Sequence, residues 1–208
     1  MNLKLTLNQM LLSNVHIGHT CRFLNVQMKP FILGYRSGIH IINISFTNFQ
    51  FKIFINFLIN IFSLRQKLLI LKELDFFNFS NYLNLKNVFY YDKKWIGGAL
   101  TNFRQVRRSI KFKEFNNVKS SLISLKYMPS AIFLFNVNQS KWALFEALNL
   151  DIPVGAILDT NTAFFKYINY PIVGNNKSFE SLYLYLSLIK NAAIKGKQKE
   201  LAKVLKIT

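Results

Sequence analysis

Residues Ala131 to Val137 read AIFLFNV, Lys141 to Leu150 read KWALFEALNL, and Pro153 to Leu158 read PVGAIL. The first and third are short apolar runs of the kind found in strands covered on both faces. The second reads as a helix. Strand, helix and strand in so short a stretch form the crossover unit of a parallel sheet. The alternation continues outward. Leu68 to Leu71 (LLIL) and Asn87 to Tyr91 (NVFYY) read as strands, with a helix predicted over Phe76 to Leu85 between them. Tyr170 to Val173 reads as a short strand and Ser178 to Lys195 as a helix. The expected fold class is α/β: a doubly wound, mostly parallel sheet with right-handed crossovers placing helices on both faces.

Ahead of this sheet, Leu3 to Asn14 is a short helix candidate. Gly18, Pro30, Gly34 and Gly38 then predict an ordered, loop-rich segment, so that residues 1–38 form a helical N-terminal segment followed by a Gly/Pro-rich loop. Ile39 to Ile44 (IHIINI) has the length and β-branching of a strand, and Phe46 to Leu64 follows as a helix. The most apolar part, Phe49 to Phe62, is shorter than the ~20 residues a membrane span needs. Gln50, Lys52, Asn56 and Asn60 also interrupt it, so a buried amphipathic helix is expected and no membrane insertion. No cleavable leader is expected at the N-terminus. No internal repeat is visible, and residues 1–208 read as one domain. The Lys-rich tail, 195–208, is expected to extend the last helix onto RNA.

Lys and Arg number 27 against 9 Asp and Glu, a formal charge of +18 over 208 residues. With a pI near 10.1, the chain calls for a polyanionic partner: nucleic acid first, an anionic membrane surface second. So few acids weigh against metal cages and paired-carboxylate enzymes. The single cysteine, Cys21, excludes an intramolecular disulfide and a Cys-only metal cluster and suits a reduced compartment. Phe (21), Tyr (9), Ile, Asn and Lys are abundant. Their codons are A/T-rich, which points to a small, A/T-biased genome rather than to a membrane.

Four places hold chemistry-bearing residues. His16, Gly18 and His19 (HIGH) share their letters with a synthetase nucleotide signature, but no nucleotide-binding half-sheet precedes them. With Cys21 they do not make a usual zinc spacing, so no metal and no cofactor are expected. WIGGALTN, Trp95 to Asn102, is a glycine loop that could offer amides to a phosphate at a helix start, with Thr101 or Asn102 as cap. It lacks the Lys-Ser/Thr pair of a nucleotide triphosphatase. Lys93 and Lys94 precede it. Arg104, Arg107, Arg108 and Lys111 follow at i, i+3, i+4, i+7 spacing, one helix face with no internal acid, suited to phosphate. Asp159-Thr160-Asn161 stands at the carboxyl end of a predicted strand, where open α/β sheets place ligands. No second acid or histidine is evidently placed to partner Asp159, and loop capping explains the trio equally well.

Five segments taken in order resemble one family, the second protein of the bacterial small ribosomal subunit. They are VHIGHT (Val15 to Thr20), MKPFILGYRSGIHIIN (Met28 to Asn43), KKWIGGALTNF (Lys93 to Phe103), NLDIPVGAILDTN (Asn149 to Asn161) and YPIVGNN (Tyr170 to Asn176). The resemblance implies a flavodoxin-like α/β domain and a structural, non-catalytic role in the small subunit, between head and body. The implied partners are small-subunit ribosomal RNA, neighbouring small-subunit ribosomal proteins, and a large mRNA-binding ribosomal protein near the mRNA exit. Carried over position by position, the RNA-facing residues are His16, His19, Arg22, Asn25, Lys29, Arg36, Lys93, Lys94, Trp95 and Asn102, with Arg104, Arg107, Arg108 and Lys111 added from the basic stripe.

The chain departs from the family's pattern in several places. Where the family carries a long coiled-coil hairpin, only residues 104–129 are present, a remnant. Lys72-Glu73-Leu74-Asp75 replaces a basic loop, and Thr162-Ala163-Phe164-Phe165 replaces an Asp-Pro. Asn176-Lys177 replaces an acidic pair, so neither a metal nor a capping role is expected there. The short hairpin and the A/T bias suggest an organelle-encoded copy, mitochondrial first, with plastid or bacterial cytoplasm as alternatives. The rival function is a flavodoxin-like α/β enzyme with its site near Asp159. It requires Asp159 beside His16, His19 or His40 in a closed pocket.

Overall fold

The computed structural model describes residues 5–72, 85, 87–91, 94–106, 108 and 128–205. Its elements in chain order are α1 (Leu7–Leu12), β1 (Ile17–Thr20), β2 (Ile32–Arg36), β3 (Ile39–Ile42), α2 (Ile44–Ser63), β4 (Leu68–Leu71) and β5 (Val88–Tyr91). They continue with β6 (Ala131–Leu134), α3 (Lys141–Asn149), β7 (Val154–Leu158), β8 (Tyr170–Val173) and α4 (Phe179–Val204). Five strands make one parallel sheet in the order β5-β4-β6-β7-β8. Taken from β4 onward this is the 2-1-3-4-5 order of flavodoxin-like folds.

Side-chain alternation along the strands divides the core in two. Leu68, Ile70, Phe133, Ile157 and Ile172 face one way, against α2 (Phe51, Phe54, Leu58, Phe62) and α4 (Leu182, Tyr185, Leu186, Ile189). Leu69, Leu71, Ile132, Leu134, Val154, Ala156 and Leu158 face the other way, against α3 (Ala143, Leu144, Ala147) and the Trp95–Leu100 loop. Helices therefore cover both faces, as the apolar runs require.

The polar residues inside α2 have a specific use. β8 is an edge strand, and its last backbone groups need partners. Thr47 Oγ1 donates to the Val173 carbonyl at 2.6 Å, and Gln50 Oε1 accepts from the Val173 N–H at 2.8 Å. Asn43 caps the helix by accepting from the Ser45 N–H. Phe51, Phe54 and Leu58 are buried while Lys52 and Asn56 are exposed, the amphipathic arrangement expected of this segment. Among the described residues no helix is long and apolar enough to cross a membrane.

The N-terminal segment differs from expectation. A helix is present, α1, shorter than Leu3 to Asn14 and closed by a Thr6–Gln9 capping box. The segment expected to be loop contains two further strands, and β1-β3-β2 form a three-stranded antiparallel sheet. The hairpin signal lies in Ser37-Gly38, both at positive φ (51° and 76°), which closes β2 onto β3 in a two-residue turn with Arg36 opposite Ile39. Strands of four and five residues containing Gly18 and Gly34 are too short and irregular for periodicity to expose. At the other end α4 continues unbroken through Lys195 to Val204. The helix expected over Phe76 to Leu85 lies outside the described residues except for Leu85. The 104–129 remnant is described only at 104–106, 108, 128 and 129.

Gly155 in β7 is where the sheet and α2 come closest. A Cβ there would overlap the Phe54 ring, which stacks on Phe133 at 5.0 Å between centroids and is itself buried. Phe54 has nowhere to retreat, so Gly155→Ala should lower stability by about 1–3 kcal/mol. Urea unfolding of the RNA-free chain measures this; an unchanged midpoint would show that the ring yields.

Candidate nucleic-acid interface

The two sheets meet at one junction, built from VHIGHT and DTN. The Cβ that Gly18 lacks would collide with Thr160 Cγ2, so only glycine lets β1 lie this close to the end of β7. The His19 N–H then donates to Thr160 Oγ1 at 3.0 Å, and the Asn25 N–H donates to the Thr160 carbonyl at 2.9 Å. Asp159, 1% exposed, receives the Thr160 N–H on Oδ1 at 2.6 Å, while its Oδ2 lies 2.7 Å from His19 Nδ1. His40 Nδ1 is 3.1 Å from the His19 carbonyl. Asp159 therefore has a histidine partner, which corrects the expectation that none was placed for it. The partner lies 140 positions earlier, a separation that only the sheet junction closes.

On the core side, burial and the nearby Asp159 charge push the Tyr185 hydroxyl well above its ordinary range. Partial burial holds His16 below its usual 6.5, and His16 Nδ1 is buried without a hydrogen bond. Beside the junction, Asn175 Oδ1 accepts from the Lys177 and Ser178 N–H groups, and Ser178 caps α4. Capping therefore survives at this turn, through the neighbours of Asn176, although none was expected.

The rival enzyme obtains its His–Asp pair but not the rest. Nucleophilic catalysis needs a hydroxyl or thiol on the other imidazole nitrogen. Among the described residues none hydrogen-bonds it. The Thr160 amide also caps the carboxylate, and the adjoining depression is open to solvent. Among the described residues no three of His, Cys, Asp and Glu converge to hold a metal.

The glycine loop presents its amides as expected, but to an internal anion. Glu146 of α3 accepts from Trp95 Nε1 (2.9 Å), Gly98 N–H (2.8 Å), Leu100 N–H (2.8 Å) and Thr101 N–H (3.3 Å). The carboxylate occupies the place expected for a phosphate. Trp95 is accordingly only 8% exposed and packs edge-on against Tyr91. Its ring serves the fold and leaves the set of candidate RNA contacts. A lone acid in the otherwise apolar KWALFEALNL was the available signal for Glu146.

The remaining candidates fall into two exposed groups. Arg22, Lys29 and Arg36 stand on and beside the antiparallel sheet, among exposed Phe23, Val26, Leu33 and Tyr35. Asn25 is half-buried and caps the turn at Val26–Phe31. Lys94, Asn102, Arg104 and Arg108 are exposed around the glycine loop, Arg104 and Arg108 sharing a helix face. Lys93, Arg107 and Lys111 lie outside the described residues. Met28 and Trp95 belong to the same apolar cluster, so both cationic groups are anchored on one face of the parallel sheet. Lys72 is no surface cation: it is 3% exposed, and burial pushes its amine down to about 8.

Asp159→Ala would leave His19 Nδ1 and the Thr160 N–H without their partner. It should cost about 3–5 kcal/mol, and Asp159→Asn less. Chemical denaturation checks the order; equal stability of all three proteins would remove the junction's structural role. Glu146→Ala should cost about 1.5–3 kcal/mol and red-shift the Trp95 fluorescence as the unanchored loop admits water to the buried indole. Emission unchanged from the parent would contradict the arrangement.

Comparison with known proteins fits this geometry. The family model described as ribosomal protein S2 matches residues 10–124 and 112–196. A protein named small ribosomal subunit protein uS2 from Shewanella piezotolerans is 34% identical over 227 aligned positions, covering 95% of this chain and 93% of that protein. Its namesakes from Shewanella halifaxensis and Shewanella denitrificans are 34% and 33% identical over the same shares. With matches this extensive, running through both sheets and the junction between them, the chain belongs to the ribosomal protein S2 family.

Proposed function

We propose that this chain is a structural constituent of the small ribosomal subunit. It binds small-subunit ribosomal RNA between head and body and carries out no catalysis. One observation carries the reading: a family match over nearly the whole chain coincides with a group of exposed cations, Arg22, Lys29, Arg36, Lys94, Arg104 and Arg108, that form no ion pair among the described residues. Of the nine acids, Asp159 is taken by His19, Glu146 by the glycine loop and Glu200 by Arg65. Arg22, Lys29, Arg36, Lys94, Arg104 and Arg108 remain exposed for phosphate, with Lys93, Arg107 and Lys111 proposed beside them. His16, His19 and Asn25 support these cations by shaping the backbone that carries them, and Asn102 stands exposed at the start of the Arg104 helix.

Neighbouring small-subunit proteins and an mRNA-binding ribosomal protein near the mRNA exit complete the partners. The 104–129 segment supports a sharply shortened hairpin, so contacts made through a long one are absent from this proposal. The A/T-codon bias of the composition supports a mitochondrial ribosome. The named relatives are bacterial, which favours a bacterial cytoplasmic ribosome as the second reading. Protein synthesis in isolated mitochondria, with cytosolic translation blocked, should label this chain; labelling only in whole cells would count against organellar origin.

Native extract is sedimented through low-salt and high-salt gradients and probed for the chain. It should travel with small-subunit RNA at low salt and stay there in large part as salt rises. Migration as a free small protein in both gradients would end the ribosomal reading. Replacing Arg104 and Arg108 by Gln should lower the log–log salt slope of RNA binding by about 0.7–0.9 for each phosphate no longer neutralised.

A further inference from the structure

A depression of about 490 Å³ opens beside the sheet junction, between β1, the ends of β7 and β8, and the start of α4. The volume suits a small-molecule site. Its walls are of two kinds. Ile17 and Ile39 line it with apolar surface, and Phe23 stands beside them 62% exposed, a ring with an uncovered face. His19, Asn175, Lys177 and Ser178 supply the polar side, with the Asp159 carboxylate behind the imidazole. The imidazole is not free to turn, because Asp159, itself 1% exposed, holds Nδ1 at 2.7 Å. That leaves Nε2 as the ring nitrogen available to a ligand. Lys177 is exposed next to the amino end of α4, where Glu180 already answers the helix dipole and Asn175 and Ser178 take the free amides, so Lys177 is the group there that faces a ligand's anion.

A ligand fitting all three features has a flat, partly apolar body to stack on Phe23 and a polar edge for His19. It also needs an anionic group for Lys177. A nucleotide has this chemistry. We propose that the depression takes one unstacked nucleotide, its base against Phe23 and its phosphate toward Lys177. The crevice that flavodoxin-like folds use for such ligands lies between β4 and β6. Here the Trp95–Leu100 loop packs against Leu71 and Leu134 at the carboxyl ends of those strands. The site is displaced to the opposite edge, where β1 forms a wall that the five-stranded sheet alone lacks. The proposal rests on the ribosomal reading for its source, ribosomal RNA; a free mononucleotide presents the same chemistry.

The test is ultraviolet crosslinking of purified native small subunits, followed by mass spectrometry of the chain's peptides. The parent is compared with Phe23→Ala, Phe23→Tyr and Lys177→Gln. A nucleotide adduct is expected on Phe23 or Lys177. Phe23→Ala should reduce it about fivefold or more, Phe23→Tyr should retain it, and Lys177→Gln should weaken it. An adduct that survives gel filtration and extends into an RNA fragment identifies ribosomal RNA. One that gel filtration removes and added AMP restores identifies a free nucleotide. Either supports the site. Particles containing the chain, crosslinked to RNA elsewhere but bare at Phe23 and Lys177, would overturn it. Should the chain be missing from the particles, the ribosomal reading has failed separately. The free chain irradiated with AMP then decides the site by the presence or absence of the Phe23 adduct.

Discussion

The contact between Gly18 and Thr160 is the constraint on which the rest of the molecule depends. A parallel five-stranded sheet with helices on both faces can stand alone, and many proteins stop there. In this chain a second, antiparallel sheet must be fixed to its rim, and β1 is the strand that does it. A side chain at position 18 would hold the two sheets apart. With glycine there, the His19 and Asn25 amides reach Thr160, and His19 reaches the buried Asp159. The same few atoms fix the loop carrying Arg22 and, through β3, the hairpin carrying Arg36.

Charge is divided by the same logic. A chain with three times as many cations as acids would be expected to scatter its acids over the surface to offset repulsion. Instead Glu146 holds the backbone amides of the glycine loop that precedes Arg104, and the buried Asp159 holds the Thr160 amide and the His19 ring that precedes Arg22. An internal carboxylate stabilises a glycine loop as well as a phosphate would, without consuming the protein's outward charge. On the proposed function, Arg22, Lys29, Arg36, Arg104 and Arg108 are left to an external polyanion, where counterion release rather than pairing with acids would supply the affinity.

Much of this was legible in the sequence. LLIL, AIFLFNV, PVGAIL and YPIV mark the parallel strands because burial on both faces demands unbroken apolar runs, and KWALFEALNL marks its helix by period. What could not be read was whatever depends on proximity without periodicity. β1 and β2 are short and contain glycines, so they resemble loop until β3 pairs with both. The His19–Asp159 contact joins residues that share no local pattern. Trp95 and Asn102 share one motif, yet one is buried on Glu146 and the other exposed, because the chain stays in the core through Ala99 and Leu100 and emerges only at Thr101. A motif reports which residues belong together; it does not report which of them face a partner.

The most direct measurement is the structure of the native small subunit from the source organism by electron cryomicroscopy. This chain should be docked at the particle's head–body boundary with the junction intact, and with Arg22, Lys29, Arg36, Arg104 and Arg108 on RNA phosphates. A particle lacking the chain, or one in which that cationic face looks into solvent while RNA lies on the opposite side, would contradict it.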